Sequence, residues 1–579
     1  PLLLLALFAA ALGAETRPNI VFILADDLGY GEVGYNGQKI IRTPNVDRLA
    51  REGMILTRHY CGNAVCAPSR TVLMTGRNPG HATARDNGDV GDREQFPLPT
   101  GIATLPGTLK QAGYATAAFG KWGMGSFEST GSPLKQGFDR FLGVTSQWVA
   151  HSHYPPFIQD DGKKVPLDNG PDGAPGHGIF PAGADPQDPK AYAPFIGKDF
   201  LSERTIAGAE AFIAVHKDKP FFLYYASPLP HVALQVPAEE LKQYEGVITE
   251  AAPYAPQKGG YSPNRTPRTT YAAMISRLDK EVGRILAALE KAGVADNTII
   301  VFSGDNGATH DAGGVDTKYF NSAGGLKGLK GSLHEGGIRE PTVVRWPAGI
   351  KPGTRSHRIS GFEDWFATFA EIAGVKIEAA SNRASESLIP ALKGTDAPRA
   401  APLYREFPSY GSQQAIWDGK WKAIRTDMTK AVKAKEPIVT QLYDLDADPT
   451  EAANRWNDDS ARDVFVHLRA LLKEERFRAV PERNNPWPYA SRQPTGGPVT
   501  KRPPPPARMF RKLVQKIGMH PEDLDAVEFG LAGKRALVVA TNTAVMDIGK
   551  PTGVFASEMT VPYYAFLDAG MKVDVASPL

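Results

Sequence analysis

The chain has 579 residues, well past the ~150 of a typical domain, so two or more folded units are expected. Its 42% hydrophobic and 22% charged residues are ordinary globular values, which excludes a wholly disordered or coiled-coil chain. Lys and Arg total 66 against 63 acidic residues, so no strong field points to nucleic acid or an anionic membrane surface.

Residues 2–12, LLLLALFAAAL, form an apolar run shorter than the ~20 residues that span a bilayer. Gly13 and Ala14 follow, small residues of the kind found before a signal-peptidase cut, and Glu15-Thr16-Arg17 turn polar. We expect an export signal over 1–14, clipped at its start, a periplasmic or secreted protein, and no membrane span once the signal is removed. A buried core helix is the alternative reading of the run.

Between about 17 and 399 short apolar runs alternate with helical patterns. NIVFILA (19–25) leads into Asp26-Asp27, YATAAFG (114–120) into Lys121, PFFLYYA (220–226) into a loop ending at His231, and NTIIVFSG (297–304) into Asp305-Asn306. Continuous apolar strands alternating with helices predict an α/β fold, a large, mostly parallel sheet sandwiched by helices. Residues 271–293 place Met274, Leu278, Val282, Ile285 and Leu289 on one stripe, with Gly293 as a stop. Ligands of open α/β sheets bind beyond the carboxyl ends of strands, so four strands ending in Asp-Asp, Lys, His and Asp-Asn predict an active centre there. The stretch 150–200, rich in Gly, Pro and Asp, reads as a long surface insertion.

From 400 to 476 short strand patterns with an Asp418-Gly419 hairpin signal and a closing helix over 461–476 predict a smaller antiparallel α+β subdomain. Residues 477–510 are Pro-rich, with Pro503 to Pro506 favouring stiff polyproline II, and read as a linker. Beyond it RALVVAT (535–541), a helix over 556–569 and KVDVASP (572–578) form one strand–helix–strand pattern, which cannot bury its own faces.

Asp26, Asp27, Asp305 and Asn306 offer an all-oxygen ligand set, which favours Ca²⁺ or Mg²⁺ over zinc. One Asp pair after a strand serves equally as a helix cap or turn, but two pairs at two strand ends point to a metal. The only cysteines are Cys61 and Cys66, too few for a disulfide scaffold or a four-thiolate zinc site. Pro68 and Ser69 read as the start of a helix, leaving Cys66 just outside its N-terminus. A thiolate there would suit a nucleophile or redox cysteine, and a buried structural cysteine is the plain alternative.

The run CAPSRTVLMTGR (66–77) closely resembles the type I sulfatase signature, C-x-P-S-R followed by T-G-R. The resemblance extends over roughly 17–476 and includes RPNIVFILADDLGYGEVGYNG, TPNVDRLAREG, GYATAAFGKWGMG, SPLPHVALQVP, FSGDNGA, KGSLHEGGIREP and LYDLDADPTEAAN, in order. It implies an alkaline-phosphatase-like fold, oxidation of Cys66 to formylglycine by a maturation enzyme, one divalent cation (usually Ca²⁺, with Mg²⁺ the alternative), and hydrolysis of sulfate esters of carbohydrates or aryl groups. By the same resemblance Asp26, Asp27, Cys66, Asp305 and Asn306 match the metal ligands, and Asp305 is placed to accept the nucleophile's proton. Arg70 matches the residue that holds the formylglycine hydrate, Lys121 and Lys330 match sulfate-binding lysines, and His231 matches a histidine near the leaving oxygen.

One departure stands out. Many members read G-K-W-H-x-G, whereas this chain reads Gly120-Lys121-Trp122-Gly123-Met124-Gly125. His151 and His153 lie soon after and are candidates to supply an imidazole, with solvated loop histidines the plain alternative. His310 and His334 are candidate substrate-pocket residues. A phosphodiesterase or phosphonate hydrolase of the same superfamily is the alternative activity, and an inactive binder of sulfated glycans the alternative of another class. Residues 511–579 resemble the opening of a glutamine-amidotransferase-like (intracellular protease-like) domain without its nucleophilic cysteine, and are expected to be an incomplete domain.

Overall fold

The computed structural model describes residues 17–90, 94–377, 384–434, 436 and 438–478, together with four short strands between 535 and 576. The expected export signal, the linker beyond 478 and the helix expected over 556–569 lie outside the described residues.

The apolar runs are strands of one ten-stranded sheet. In chain order these are β1 (Asn19–Ala25), β2 (Met54–Leu56), β3 (Ala115–Lys121), β4 (Arg140–Val144), β5 (Phe157–Asp160), β6 (Lys163–Pro166), β7 (Phe221–Ala226), β8 (Thr298–Gly304), β9 (Thr342–Arg345) and β10 (Thr354–Ser356). Their spatial order is β10-β2-β9-β8-β1-β7-β3-β4-β5-β6. The centre is parallel: β1 pairs with β7 and β8, β7 with β3, and β3 with β4. Every residue of β1, β3, β7 and β8 is buried, as uninterrupted apolar runs covered on both faces require. Toward the edges the sheet turns antiparallel, at β8–β9, β9–β2, β4–β5 and β5–β6.

The covering helices are α1 (Pro44–Glu52), α2 (Cys66–Thr75), α3 (Leu105–Gln111), α4 (Leu201–His216), α5 (Pro267–Lys291) and α6 (Asp364–Ala373). Alternate residues of β1 face opposite layers. Val21, Ile23 and Ala25 join the core that holds the α5 stripe of Met274, Leu278, Val282, Ile285 and Leu289. Phe22 faces the other way, edge-on to Trp365 (5.9 Å) and Phe369 (6.5 Å) of α6. Helix α5 starts four residues before its predicted beginning, with Pro267 at its first position, where a missing N–H costs nothing.

The 150–200 stretch is more than a surface insertion. It supplies β5 and β6 to the sheet, and its His153 and Tyr154 are buried.

A separate four-stranded antiparallel sheet follows, from β11 (Leu403–Phe407), β12 (Gln413–Asp418), β13 (Trp421–Arg425) and β14 (Thr440–Asp444), in that spatial order. Gly419 takes the left-handed backbone (φ +56°) that the hairpin between β12 and β13 needs. Helix α7 (Arg462–Arg478) is the closing helix. The described residues divide into two compact units, one over 17–407 with 416–422 and 444–453, the other over 408–415, 423–443 and the residues from 454 on. In the second unit Arg425 donates from Nε to Thr440 Oγ1 (2.9 Å), and Gln414 donates to the Leu472 carbonyl of α7 (3.2 Å). Also in that unit, β15 (Arg535–Val539) and β16 (Lys572–Ala576) pair in parallel. Among the described residues no helix is long and apolar enough to cross a membrane.

Leu278 is 1% exposed at the centre of the α5 stripe. Its replacement by alanine should cost about 2–5 kcal/mol, read as a lowered urea midpoint with unchanged secondary structure.

Candidate active site

The parallel centre of the sheet brings the carboxyl ends of β1, β3, β7 and β8 to one edge, and the chemistry-bearing residues follow them. Asp26 and Asp27 leave β1, Lys121 ends β3, the loop after β7 carries His231, and Asp305-Asn306 leave β8. Helix α2 runs in below them. Cys66 is its first residue, with extended Val65 as the cap, so the thiol lies just inside the helix rather than just outside it. Arg70 comes one turn later on the same face.

These side chains meet. Cys66 Sγ lies 3.3 Å from Asp26 Oδ1, 3.9 Å from Asp27 Oδ1 and 3.6 Å from Lys330 Nζ. Lys121 Nζ is 2.5 Å from Asp26 Oδ2, and Lys330 Nζ is 2.8 Å from Asp27 Oδ2. Arg70 grips Asp305 Oδ2 through Nε (3.0 Å) and Nη2 (2.8 Å) and reaches toward Asp26 at 3.6 Å. Asp27 holds a left-handed backbone (φ +67°), and its N–H donates to Asp305 Oδ1 at 3.1 Å. Such strain in a non-glycine residue is found where surrounding structure over-determines it, often at functional sites.

Asp26, Asp27, Cys66 and His231 offer ligand atoms within 4.8 Å of one another. Asn306 joins them by donating from Nδ2 to Asp27 Oδ1 at 2.7 Å, while its buried Oδ1 has no hydrogen-bond partner. An oxygen acceptor without a donor, beside converging carboxylates, fits a hard divalent cation.

The electrostatics split the carboxylates. Burial alone would raise Asp26, but Lys121, His231 and Arg70 hold it well below the usual range. Asp305 is pushed up to about 6 by burial and by Asp26, against Arg70. Burial followed by Asp26 and Asp305 pushes the Cys66 thiol up, so an unmodified cysteine here stays protonated.

His231 Nε2 stands 3.5 Å from Asp27 Oδ2, and its Nδ1 donates to the Val232 carbonyl, which turns Nε2 toward the cluster. Burial, Lys330 and Lys121 hold its pKa well below the usual value. The ring of His151 stacks on His231 (centroids 4.8 Å apart, 12° between planes), and His151 Nδ1 is 2.8 Å from His177 Nε2. His153 is fully buried and bonds through Nε2 to the His231 carbonyl (2.8 Å), so it supports that backbone. Neither His151 nor His153 is a solvated loop residue.

Of the remaining candidates, His310 approaches the Lys330 backbone, and burial and Lys330 lower its pKa. The structure brings His334 to a different buried group, 3.1 Å from Glu451 Oε2. There Lys422 Nζ bridges Glu335 (3.0 Å) and Glu451 (2.8 Å), and Glu451 accepts from the Glu335 N–H (2.7 Å). That group anchors the segment after Lys330, whose own N–H donates to Ala308 O at 2.8 Å. Sequence reasoning missed His177 and Tyr261, whose rings stack at 4.7 Å beside His151. Both lie in loops without periodicity and carry no sequence signal.

The chain is similar to known proteins in sequence and in fold. The sulfatase family model matches residues 18–375, and the model described as N-sulphoglucosamine sulphohydrolase, C-terminal, matches 329–478. Human arylsulfatase A is 32% identical over 486 residues, covering 78% of this chain and 86% of that protein. Mouse N-acetylgalactosamine-6-sulfatase is 28% identical over 518 residues, covering 83% and 90%. Among solved structures, Ps i-CgsB in complex with k-i-k-neocarrahexaose is 27% identical with a TM-score of 0.65, covering 80% of this chain and 94% of that one. The phosphonate monoester hydrolase of Agrobacterium radiobacter shares the fold at 21% identity and a TM-score of 0.54, covering 80% and 96%.

A divalent cation at the Asp26, Asp27 and Asn306 oxygens should stabilise the folded protein. Calcium at a hundred times its Kd, added to chelator-treated protein, should give about 2.7 kcal/mol, read as a raised Tm, and Asp27→Asn should abolish most of that rise.

Proposed function

The chain belongs to the sulfatase family and is a sulfuric ester hydrolase; from that premise we propose that it cleaves sulfate esters of carbohydrates through a formylglycine made from Cys66 and one divalent cation. The observation that carries the reading is the position of Cys66, with Asp26 at 3.3 Å and the Lys330 ammonium at 3.6 Å. A carbohydrate substrate is supported by relatives named for sulfated sugars, among them N-acetylgalactosamine-6-sulfatase.

Asp26, Asp27, Asp305 and Asn306 are the residues that would hold the cation, and their oxygen-only set favours Ca²⁺, with Mg²⁺ the alternative. The bound cation, together with the hydrate of formylglycine, supplies a hydroxyl of lowered pKa as the nucleophile. The chain's other residues supply charge and orientation. Lys121 and Lys330 bind the sulfate oxygens and oppose the negative charge that spreads over them in the transition state. Arg70 fixes Asp305 through two hydrogen bonds, so that carboxylate keeps one position near residue 66 and can accept the nucleophile's proton.

His231 presents Nε2 to the leaving oxygen. Held neutral by burial and two lysines, it gains a proton more readily once the substrate's negative charge offsets them. His151, stacked on His231, is the candidate imidazole for the release step, since position 123 is glycine. Formylglycine requires a maturation enzyme before folding. The apolar run at 2–12 supports export to the periplasm or the medium.

Protein from a host with a maturation system should yield the peptide containing residue 66 as a mixture of cysteine and formylglycine by mass spectrometry. Cysteine alone in such a host would overturn the mechanism. Sulfated sugars should be turned over in preference to phosphodiesters and phosphonates. Lys330→Ala should lower kcat/KM about 100-fold or more, as loss of a transition-state charge contact does.

A further inference from the structure

We propose that Gln147 is a substrate-binding residue of this reaction, donating a hydrogen bond from its side-chain amide to an oxygen of the bound sulfuryl group; the proposal rests on the sulfatase reading above.

The starting point is a space. Where β3 and β4 end the two segments keep pairing, Trp122 N–H to Val144 O at 3.0 Å and Gly123 N–H to Thr145 O at 3.1 Å. Gly123 is left-handed (φ +76°), and a Cβ built on it would lie 2.9 Å from Gln147 Nε2 and 3.2 Å from Gln147 Cγ. The room that a side chain at 123 would take is therefore filled from the neighbouring segment. Gly123 and Gln147 are a matched pair.

The second observation is an unmet donor. Gln147 is 4% exposed, and its Nε2 is buried without a hydrogen-bond partner. Buried amide groups are nearly always paired, and one left unpaired costs free energy unless a bound group completes it.

The third is location. Lys121, two residues before Gly123, places Nζ on Asp26. Four residues after Gln147, His151 stacks on His231, which reaches toward Asp27. The segment 145–151 is thus held at one end by Gly123, two residues beyond Lys121, and at the other by His231, with Gln147 between the two ties. A group entering among Lys121, Lys330 and His231 is an anion, and its oxygens are the acceptors the amide lacks. An amide neither gives nor takes a proton near neutral pH, so its part is to bind and orient, and it adds no charge to compete with the lysines.

The test uses full-length protein carrying formylglycine, as wild type, Gln147→Ala and Gln147→Glu, with a turned-over sulfate ester as substrate and inorganic sulfate as inhibitor. Gln147→Ala should lower kcat/KM by about 10- to 100-fold and weaken sulfate inhibition in the same sense, as loss of one oxyanion donor does, with the pH profile unmoved. The near-isosteric Gln147→Glu should lose more than alanine, because its carboxylate repels the anion. It also carries the test if alanine fails to fold, a matter settled by thermal unfolding. Wild-type kcat/KM and sulfate inhibition in both variants would overturn the proposal and leave the sulfatase reading intact. A formylglycine-bearing wild type that hydrolyses no sulfate ester would overturn both.

Discussion

Everything at the active edge depends on buried charges neutralising one another. Asp26, Asp27 and Asp305 are fully buried, as is Arg70, with Lys121 at 1% exposure. Any one of these ions alone would carry a desolvation penalty of several kcal/mol, and removing one partner leaves the other uncompensated. The cluster is tolerable only as a set: Lys121 on Asp26, Lys330 on Asp27, Arg70 on Asp305. The pairing is uneven. Asp26 is held low by several cations, whereas Asp305 shares its site with Asp26 and is pushed up to about 6.

That constraint dictates the fold around it. The strands bearing these groups must run parallel, because only then do Asp26, Lys121 and Asp305 leave the sheet at the same edge. Helix α2 must begin there too, or Cys66 and Arg70 could not share the cluster. Remote segments hold the parts in place. Lys422 and Glu451 secure the Glu335 turn that follows Lys330, and His153 holds the His231 carbonyl. They limit how far the lysine and the histidine can drift, and positional error of an ångström costs heavily in catalysis.

Sequence reasoning read the central strands closely because a strand buried on both faces leaves an unbroken apolar run. β1 and the α5 stripe are the clearest cases. The strands β2, β9 and β10 at one side of the sheet escaped it because they have three or four residues each, too few to show a period. The 150–200 stretch reads as surface because Gly, Pro and Asp dominate it, although residues 157–166 enter the sheet and His153 is buried. His177 and Gln147 carry no signature at all, since an imidazole or an amide in a loop gains meaning only from its neighbours.

The sequence by itself determined the ingredients: the parallel centre, the strand ends bearing Asp26, Asp27, Lys121, His231, Asp305 and Asn306, and the signature that singles out Cys66. These are local properties, set by apolar runs and by short motifs whose residues are neighbours in the chain. Only the tertiary structure decided which charge neutralises which, that Cys66 opens its helix rather than preceding it, that His151 stacks on His231, and that Gln147 occupies the room beside Gly123. Those relations join residues tens to hundreds of positions apart, and they are settled by packing and by the cost of leaving a buried polar group alone.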